Sequence, residues 1–195
     1  MGESNMVRGR KVNSNGEKSK QLLRTKAIEI FSTKGYYQTK ISDIVKAANV
    51  TQPTFYLYFE SKESLFLDLK EEFQQNLNNI FEHPQEFRIS QVIEKLLYYF
   101  AENPLLTKIG LYQSDDSFLV KEKLVEKFQQ VLEKEKNQYH LLEGLDIKTI
   151  SQSLMGSIER LTLTLLITEQ KTAAELSEEL LSIYFNQQAA LATAK

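Results

Sequence analysis

The side chains best suited to chemistry in this sequence lie in one short segment, where polar and aromatic residues follow a turn. Thr51 can cap a helix there, and Pro53 falls in the first turn of that helix, where its missing N–H costs little. Phe55 and Phe59 share one face through their four-residue spacing and are predicted to pack inward. The residues predicted to face outward are Gln52, Pro53, Thr54, Tyr56 and Leu57. In a DNA major groove, Gln52 could pair with a base edge and Thr54 could bond to a base or a phosphate.

Two further helices are predicted to flank this segment. In residues 39–48 apolar side chains recur at steps of three and four, with Thr39 as the candidate N-terminal cap. Asn49 interrupts that pattern with a residue type that accepts left-handed turn geometry. Ser61 is the candidate cap of the next helix, and the backbone N–H groups at its start, with the Lys62 ammonium, suit a DNA phosphate. The spacing therefore predicts a helix-turn-helix with a supporting third helix.

Residues 27–67 resemble the DNA-binding domain of the TetR family (TetR/AcrR-like) of transcriptional regulators. The matching positions are Phe31, Gly35-Tyr36, Asp43-Ile44, Ala48-Asn49-Val50, Phe55-Tyr56, Tyr58-Phe59, Lys62-Glu63 and Leu65. Asn49 stands where the family more often has Gly, and Asn tolerates the same turn. Beyond residue 67 the chain matches the family only in length and helical character.

The resemblance implies a homodimer whose recognition helices enter successive major grooves of a near-palindromic operator. It also implies that a small molecule bound to the C-terminal domain releases the DNA. Carried over position by position, the family's base and phosphate contacts fall on Ser42, Gln52, Pro53, Thr54, Tyr56, Tyr58 and Lys62.

The distribution of charge supports a nucleic-acid partner. Residues 1–62 hold 11 Lys and Arg against 5 Asp and Glu, whereas residues 63–195 hold 13 against 21. A basic head would face the phosphates while the acidic body is repelled, which orients the encounter with DNA. Chance clustering of charge is the alternative explanation.

Three regions are predicted along the chain: a flexible basic arm in residues 1–18, the helix-turn-helix domain in residues 19–66, and a ligand-binding and dimerisation domain in residues 67–195. Arg8, Arg10 and Lys11 could place the arm in a minor groove, or the arm could be a tail without specific contacts.

The whole chain is predicted to be all-α, with about nine helices, because no stretch alternates with period two for long. A first helix is predicted in residues 19–34, and a long helix from Ser61 leads out of the head into the body. That long helix would link ligand binding to the separation of the two heads. The body helices are predicted in residues 85–102, 104–112, 117–143, 147–168 and 173–191.

The last two helices have the widest apolar surface, which predicts a dimer interface there. The residues assigned to it are Ile150, Leu154, Ile158, Leu161, Leu165, Leu176, Leu180 and Ile183. Gly156 would permit close approach of helices, and the family resemblance implies a four-helix bundle with the two-fold mate. The alternative is that these helices fill the core of a monomer.

The middle helices are rich in aromatic residues, which could line an apolar ligand pocket. The candidates are Phe100, Tyr112, Phe128 and His140, and core packing is the alternative for each. Arg160, an isolated base on an apolar helix, could meet an anionic head group or a neighbouring carboxylate.

Several classes of function are disfavoured by the sequence. Zero cysteines exclude disulfides and thiolate chemistry, and the two histidines, His83 and His140, lack a metal-ligand spacing. No glycine-rich phosphate loop and no Gly-x-Ser-x-Gly turn is present. Glu133 to Glu135 are interpreted as a solvated face. We therefore expect a cytoplasmic protein without enzymatic activity, cofactor or membrane span.

The leading hypothesis is a ligand-released dimeric repressor. A TetR-like protein that acts through protein partners without an inducer, or an activator, remains open. The operator, the target genes and the inducer cannot be derived from the sequence.

Overall fold

The computed structural model describes residues 9–82, 88–139, 144 and 146–185, and every regular element within those ranges is helical. The chain divides into two compact units, Met1–Glu71 and Glu72–Lys195. The all-α prediction is confirmed for this part of the chain, in which nine α-helices follow one another.

The first unit contains α1 (Gly9–Lys34), α2 (Ile41–Ala47), α3 (Gln52–Tyr56) and the start of α4 (Lys62–Ile80). Its core is made of fully buried side chains from all four helices: Leu23, Ala27, Phe31, Ile44, Phe55 and Leu65. The caps predicted for α3 and α4 are present, because the Thr54 N–H donates to Thr51 Oγ1 and the Ser64 N–H donates to Ser61 Oγ.

Helix α1 begins earlier than predicted. Residues 9–18 were expected to belong to a flexible arm, but they form the first turns of α1, which starts at Gly9. No proline precedes Ser19, and extending a helix that packing has already nucleated costs little per residue. Residues 1–8, including Arg8, lie outside the described residues.

Thr39 is not the cap of α2. Its buried hydroxyl donates to the Gly35 carbonyl at 2.7 Å, so it closes the turn after α1 instead. Lys40 is the residue that precedes the first turn of α2, and its backbone N–H donates to the Asp43 carboxylate at 3.0 Å. A threonine hydroxyl can accept from an N–H of the helix that follows it or donate to a carbonyl that precedes it. The spacing of apolar residues does not distinguish these two partners.

Lys62 ties the same turn to the start of α4. Its ammonium donates to the Tyr36 carbonyl at 2.8 Å and to the Thr39 carbonyl at 2.9 Å. It also lies 4.1 Å from the centroid of the Tyr36 ring, which suits a cation–π contact. We call this arrangement the Lys62 clamp. It holds the segment that leads into the helix-turn-helix.

The second unit contains the end of α4 and five further helices: α5 (Ile89–Glu102), α6 (Pro104–Lys108), α7 (Ser117–Tyr139), α8 (Ile147–Leu161) and α9 (Ala173–Phe185). Helix α5 packs against α9, and α7 packs against α8. The predicted starts of α6, α7, α8 and α9 are confirmed. Helices α6 and α8 end earlier, as α-helices, than the sequence predicts. Each continues as a single π-helical turn, at Ile109–Gln113 and Thr162–Leu166.

Glu135 is part of the interior and not of a solvated face. Only 6% of its surface is exposed, and its carboxylate accepts a hydrogen bond from the Ile89 N–H at 2.7 Å. A carboxylate at the N-terminus of a helix satisfies an N–H that has no partner within the helix and complements the helix dipole. Glu135 of α7 therefore caps α5 across 46 residues of sequence.

Four residues assigned to a dimer interface belong to the core of the single chain. Leu154, Ile158, Leu176 and Leu180 are completely buried without any second copy. A residue with no exposed surface cannot be covered further by a partner, so the core of the single chain accounts for the burial of these four, and their place in a dimer interface stays a prediction. Ile150, Leu161 and Leu165 are half-buried, and Ile183 is 58% exposed.

Gly110 lets α4 pack against the first π-helical turn. A Cβ atom added at Gly110 would overlap the ring of Phe73, which is itself buried. The ring therefore lies directly on the backbone of the turn.

Gly110→Ala is expected to lower the free energy of unfolding by about 1–3 kcal/mol, because the added methyl group must displace the Phe73 ring. The loss should be smaller when Phe73 is already Leu, since the colliding ring atoms are then absent. Chemical denaturation of the four proteins of this double-mutant cycle measures the coupling. Additive losses would contradict the proposed contact.

Lys62→Met should destabilise the first unit by about 1.5–3 kcal/mol, because two backbone carbonyls lose a charged donor. Amide hydrogen exchange in residues 36–40 should accelerate. Lys46→Met, at an exposed position on α2, is the matched control. Equal exchange rates in the two variants would show that the clamp does not hold the turn.

Candidate nucleic-acid interface

Helix α3 presents a surface that the rest of its unit does not cover. Gln52 and Pro53 are exposed, and the exposed fractions of Tyr56 and Leu57 are 55% and 76%. Thr54 is half-buried, and its hydroxyl lies 2.9 Å from that of Thr51. The five residues predicted to face outward therefore lie on or directly after one short helix, with an amide, a hydroxyl and a phenol among them.

Two buried phenylalanines and one turn determine how α3 is oriented. Phe55 and Phe59 are buried, with ring centroids 5.6 Å apart, as their spacing predicts. Asn49 adopts the predicted left-handed conformation with φ 52°, and the Val50 N–H then donates to the Val45 carbonyl at 3.0 Å. The turn between α2 and α3 is thus closed by backbone hydrogen bonds.

The other predicted DNA contacts have different environments. Ser42 is exposed in the first turn of α2. Tyr58 is half-buried, and a methyl group added at Gly16 of α1 would lie 3.4 Å from its hydroxyl. Lys62 has two of its three N–H donors engaged in the clamp. Its role in positioning the turn was not predicted, because its two acceptors lie more than twenty residues away in sequence.

Tyr37 is a surface residue that sequence reasoning missed. Its side chain is 77% exposed in the turn after α1, and its ring packs edge-on against Tyr36 with centroids 5.3 Å apart. The only sequence signal for it was the helix stop at Gly35, since turn residues have no apolar periodicity.

A local charge arrangement stabilises the start of α2. The Lys34 ammonium donates to the Asp43 carboxylate at 2.6 Å, and the Lys40 N–H donates to the same oxygen. These two hydrogen bonds, from the Lys34 side chain and the Lys40 backbone, hold the pKa of Asp43 below its ordinary value. The carboxylate therefore stays charged at neutral pH and offsets one lysine of the basic head.

The predicted pocket residues have different environments. Phe100 and Phe128 are completely buried in the core, and His140 lies outside the described residues. The Tyr112 hydroxyl donates to the Glu159 carbonyl at 2.6 Å. Phe100 and Phe128 have no exposed surface in this structure, and their assignment to a pocket stays a prediction.

A different set of residues lines a cavity of about 90 Å³ between the end of α4 and α7. Its walls are apolar at Leu77, Phe81, Val120 and Leu124 and polar at Gln74, Asn78, Lys123, Glu126 and Lys127. None of the three described candidates, Phe100, Tyr112 and Phe128, lines this cavity, although Phe128 packs behind Phe81 with ring centroids 6.0 Å apart.

Two negative findings apply to the described ranges alone. Within them, no three His, Cys, Asp or Glu side chains form a group that could hold a metal ion. No helix of that part of the chain has the length and apolar character needed to cross a bilayer.

Comparison with known proteins identifies the family. The sequence model described as "Bacterial regulatory proteins, tetR family" matches residues 23–69. YdgC, an HTH-type transcriptional regulator of Bacillus subtilis, is 33% identical over an alignment of 177 residues, and the match covers 86% of this chain and 90% of that protein. The fatty acid metabolism regulator protein of B. subtilis is 28% identical over an alignment of 159 residues, and the match covers 74% of this chain and 82% of that protein.

Solved structures show the same fold. A transcriptional regulator from Aquifex aeolicus is 25% identical with a TM-score of 0.69, covering 83% of this chain and 95% of that one. FadR of B. subtilis, solved in complex with stearoyl-CoA, is 24% identical with a TM-score of 0.66, covering 85% and 97%. The exposed recognition helix and these similarities, of which the match to YdgC spans most of both chains, show that this protein belongs to the TetR family of transcriptional regulators, which are DNA-binding proteins and not enzymes.

Proposed function

We propose that this regulator is a homodimeric repressor that binds a near-palindromic operator and is released by an apolar or amphipathic small molecule. The observation that carries the proposal is the uncovered face of α3, where Gln52, Tyr56 and Leu57 are exposed beside a buried Phe55. Exposed large apolar groups at defined positions are typical of a binding surface.

The chemistry of this face fits a major groove. The Gln52 amide can donate to and accept from an adenine edge, and the Leu57 side chain can contact a thymine methyl group. The Thr54 hydroxyl shares a hydrogen bond with Thr51, which leaves it capacity for a phosphate or base. The excess of Lys and Arg in residues 1–62 supplies the general attraction for DNA.

The dimer surface that we propose lies on the outward faces of α8 and α9. Ile183 is an exposed apolar residue, and Gly156 leaves open space above α8 in which another helix could approach. Ile150, Leu161 and Leu165, which are half-buried in the single chain, complete this surface. In a two-fold dimer each of these residues would meet the same surface of the second copy.

The cavity between α4 and α7 is the proposed effector site. Its apolar walls and its lysines, Lys123 and Lys127, suit a ligand with an apolar part and an anionic group. A drug-sized ligand needs several times the observed volume, so binding must widen the cavity and displace one of the two helices. Helix α4 also begins at Lys62 in the DNA-binding unit, which supplies a route to the recognition helix.

A second candidate function is regulation through a protein partner. Phe118 and Leu119 are adjacent exposed apolar residues at the start of α7, and neither lines the cavity. A partner that covers this pair would act without a small-molecule inducer. Activation in place of repression depends on the position of the operator and is decided by the same DNA experiment.

Selection of bound duplexes from a random DNA pool should recover an inverted repeat that persists at moderate salt. Gln52→Ala should relax the preference at one or two positions of each half-site, because a lost base contact costs about 1–3 kcal/mol of discrimination. Lys46→Ala, which changes an exposed charge of α2, is the control for general loss of affinity. Equal weakening on all sequences by Gln52→Ala would show that α3 does not read the bases.

Leu124→Trp should block the response to an effector by filling the cavity. Stearoyl-CoA is the first probe, with coenzyme A alone as the control for its polar part, because related regulators act in fatty acid metabolism or were solved with it. The probe should weaken operator binding by the same factor by which operator DNA weakens probe binding. Leu119→Trp, on the exposed surface, is the matched control. Probe binding that operator DNA leaves unchanged would contradict release by this ligand.

A further inference from the structure

The described part of the body contains two π-helical turns, and one side chain of the first reaches the helix that leads into the second. The first, Ile109–Gln113, is closed by the Ser114 N–H donating to the Ile109 carbonyl at 2.9 Å. The second, Thr162–Leu166, is closed by the Ile167 N–H donating to the Thr162 carbonyl at 2.9 Å. Turns of this kind are rare and occur frequently at functional sites.

The Tyr112 hydroxyl of the first turn reaches the backbone of α8 at a carbonyl of its hydrogen-bond ladder. The hydroxyl donates to the Glu159 carbonyl at 2.6 Å, and Tyr112 and Leu163 line the same groove. In an uninterrupted α-helix the Leu163 N–H would donate directly to the Glu159 carbonyl. The second π-helical turn begins at Thr162, immediately before Leu163, as expected where a side chain enters the ladder.

The surroundings of the hydroxyl allow both an inserted and a withdrawn position. Burial, followed by the nearby Glu159 charge, raises the pKa of Tyr112, so the hydroxyl keeps the proton that it donates. The residue also borders a surface groove with Gly156, Glu159, Arg160 and Leu163, and open space lies above Gly156. The hydroxyl can therefore leave α8 toward this groove without entering the packed core.

The chain after the second π-helical turn is strained. Glu169 has a φ of 57°, a left-handed conformation that a residue with a Cβ atom adopts at a cost. The backbone of this turn is closed by the Gln170 N–H and the Lys171 N–H, which both donate to the Leu165 carbonyl. A change in the register of α8 at Leu163 would reach this turn directly.

We propose that the end of α8 is a two-state element and that insertion or withdrawal of the Tyr112 hydroxyl selects the state. With the hydroxyl inserted, the ladder is widened and Thr162–Leu166 forms a π-helical turn. With the hydroxyl withdrawn, the Leu163 N–H bonds to the Glu159 carbonyl, and the residues that follow rotate about the helix axis by about 100°, the angle of one residue.

The regulatory consequence rests on the proposed dimer. Leu161 precedes the widened turn and Leu165 lies within it, and both belong to the proposed dimer surface. Rotation of Leu165 relative to Leu161 therefore changes the apolar face that a second copy meets. An equilibrium between the two states would couple Tyr112 to the dissociation constant of the dimer and so to operator affinity.

Tyr112→Phe removes the hydroxyl and tests the two-state element by the sign of its effect. If the ladder closes, the Leu163 amide of the full-length protein should exchange with solvent about tenfold more slowly, because it gains a direct backbone hydrogen bond. Exchange that is faster or unchanged would overturn the proposal, since the π-helical turn would then be intrinsic to the sequence.

Tyr184→Phe is the matched control for this experiment. The Tyr184 hydroxyl also reaches α8, but it bonds to the Ser153 and Ser157 side chains at 2.8 and 2.7 Å and not to the backbone ladder. Its removal should leave Leu163 exchange unchanged, and a change equal to that in Tyr112→Phe would overturn the assignment to the ladder.

Measurements of dimer dissociation and operator binding distinguish the structural part of the proposal, the two states of α8, from its regulatory part, the effect on the dimer. Tyr112→Phe should shift the dissociation constant of the dimer, measured by sedimentation. An unchanged constant in a variant whose ladder has closed would overturn the regulatory part. Failure of the wild-type protein to bind any operator would refute the proposed function, while the Leu163 exchange result would still decide the structural part.

Discussion

A helix of five residues has no stability of its own in water, so the recognition surface depends on the burial of Phe55. That side chain is fully buried in the same compact unit as Phe31 of α1 and Leu65 of α4, and α3 packs against α2. The Thr51 cap and the left-handed Asn49 then define where α3 begins. Every exposed group on α3 is positioned by these contacts.

Local signals in the sequence predicted the head well. Helix caps at Thr51 and Ser61, the turn at Asn49 and the inward pair Phe55 and Phe59 all depend on residues within a few positions of one another. Interactions across longer separations were missed. The Lys62 clamp and the Glu135 cap of α5 join parts of the chain that no periodic pattern connects.

The body illustrates a second limit, because apolar periodicity reports burial but not the partner. Leu154 and Leu180 repeat as interface residues would, yet the chain buries them against its own helices. Phe100 and Phe128 have the aromatic character of pocket walls, and the core encloses them completely. The proposed effector cavity is lined instead by the end of α4 and by α7, where apolar and long polar side chains alternate and no run of aromatic residues marks the site.

The division between buried and exposed residues on α3 has a consequence for how such a regulator evolves. Phe55 carries the stability of the helix, whereas Gln52 and Leu57 contribute little to the core. If α3 reads the operator as proposed, substitutions at the exposed positions can therefore change which DNA sequence is bound without a matching loss of folding stability. After gene duplication, two copies could acquire different operators through a few mutations while both keep an intact head.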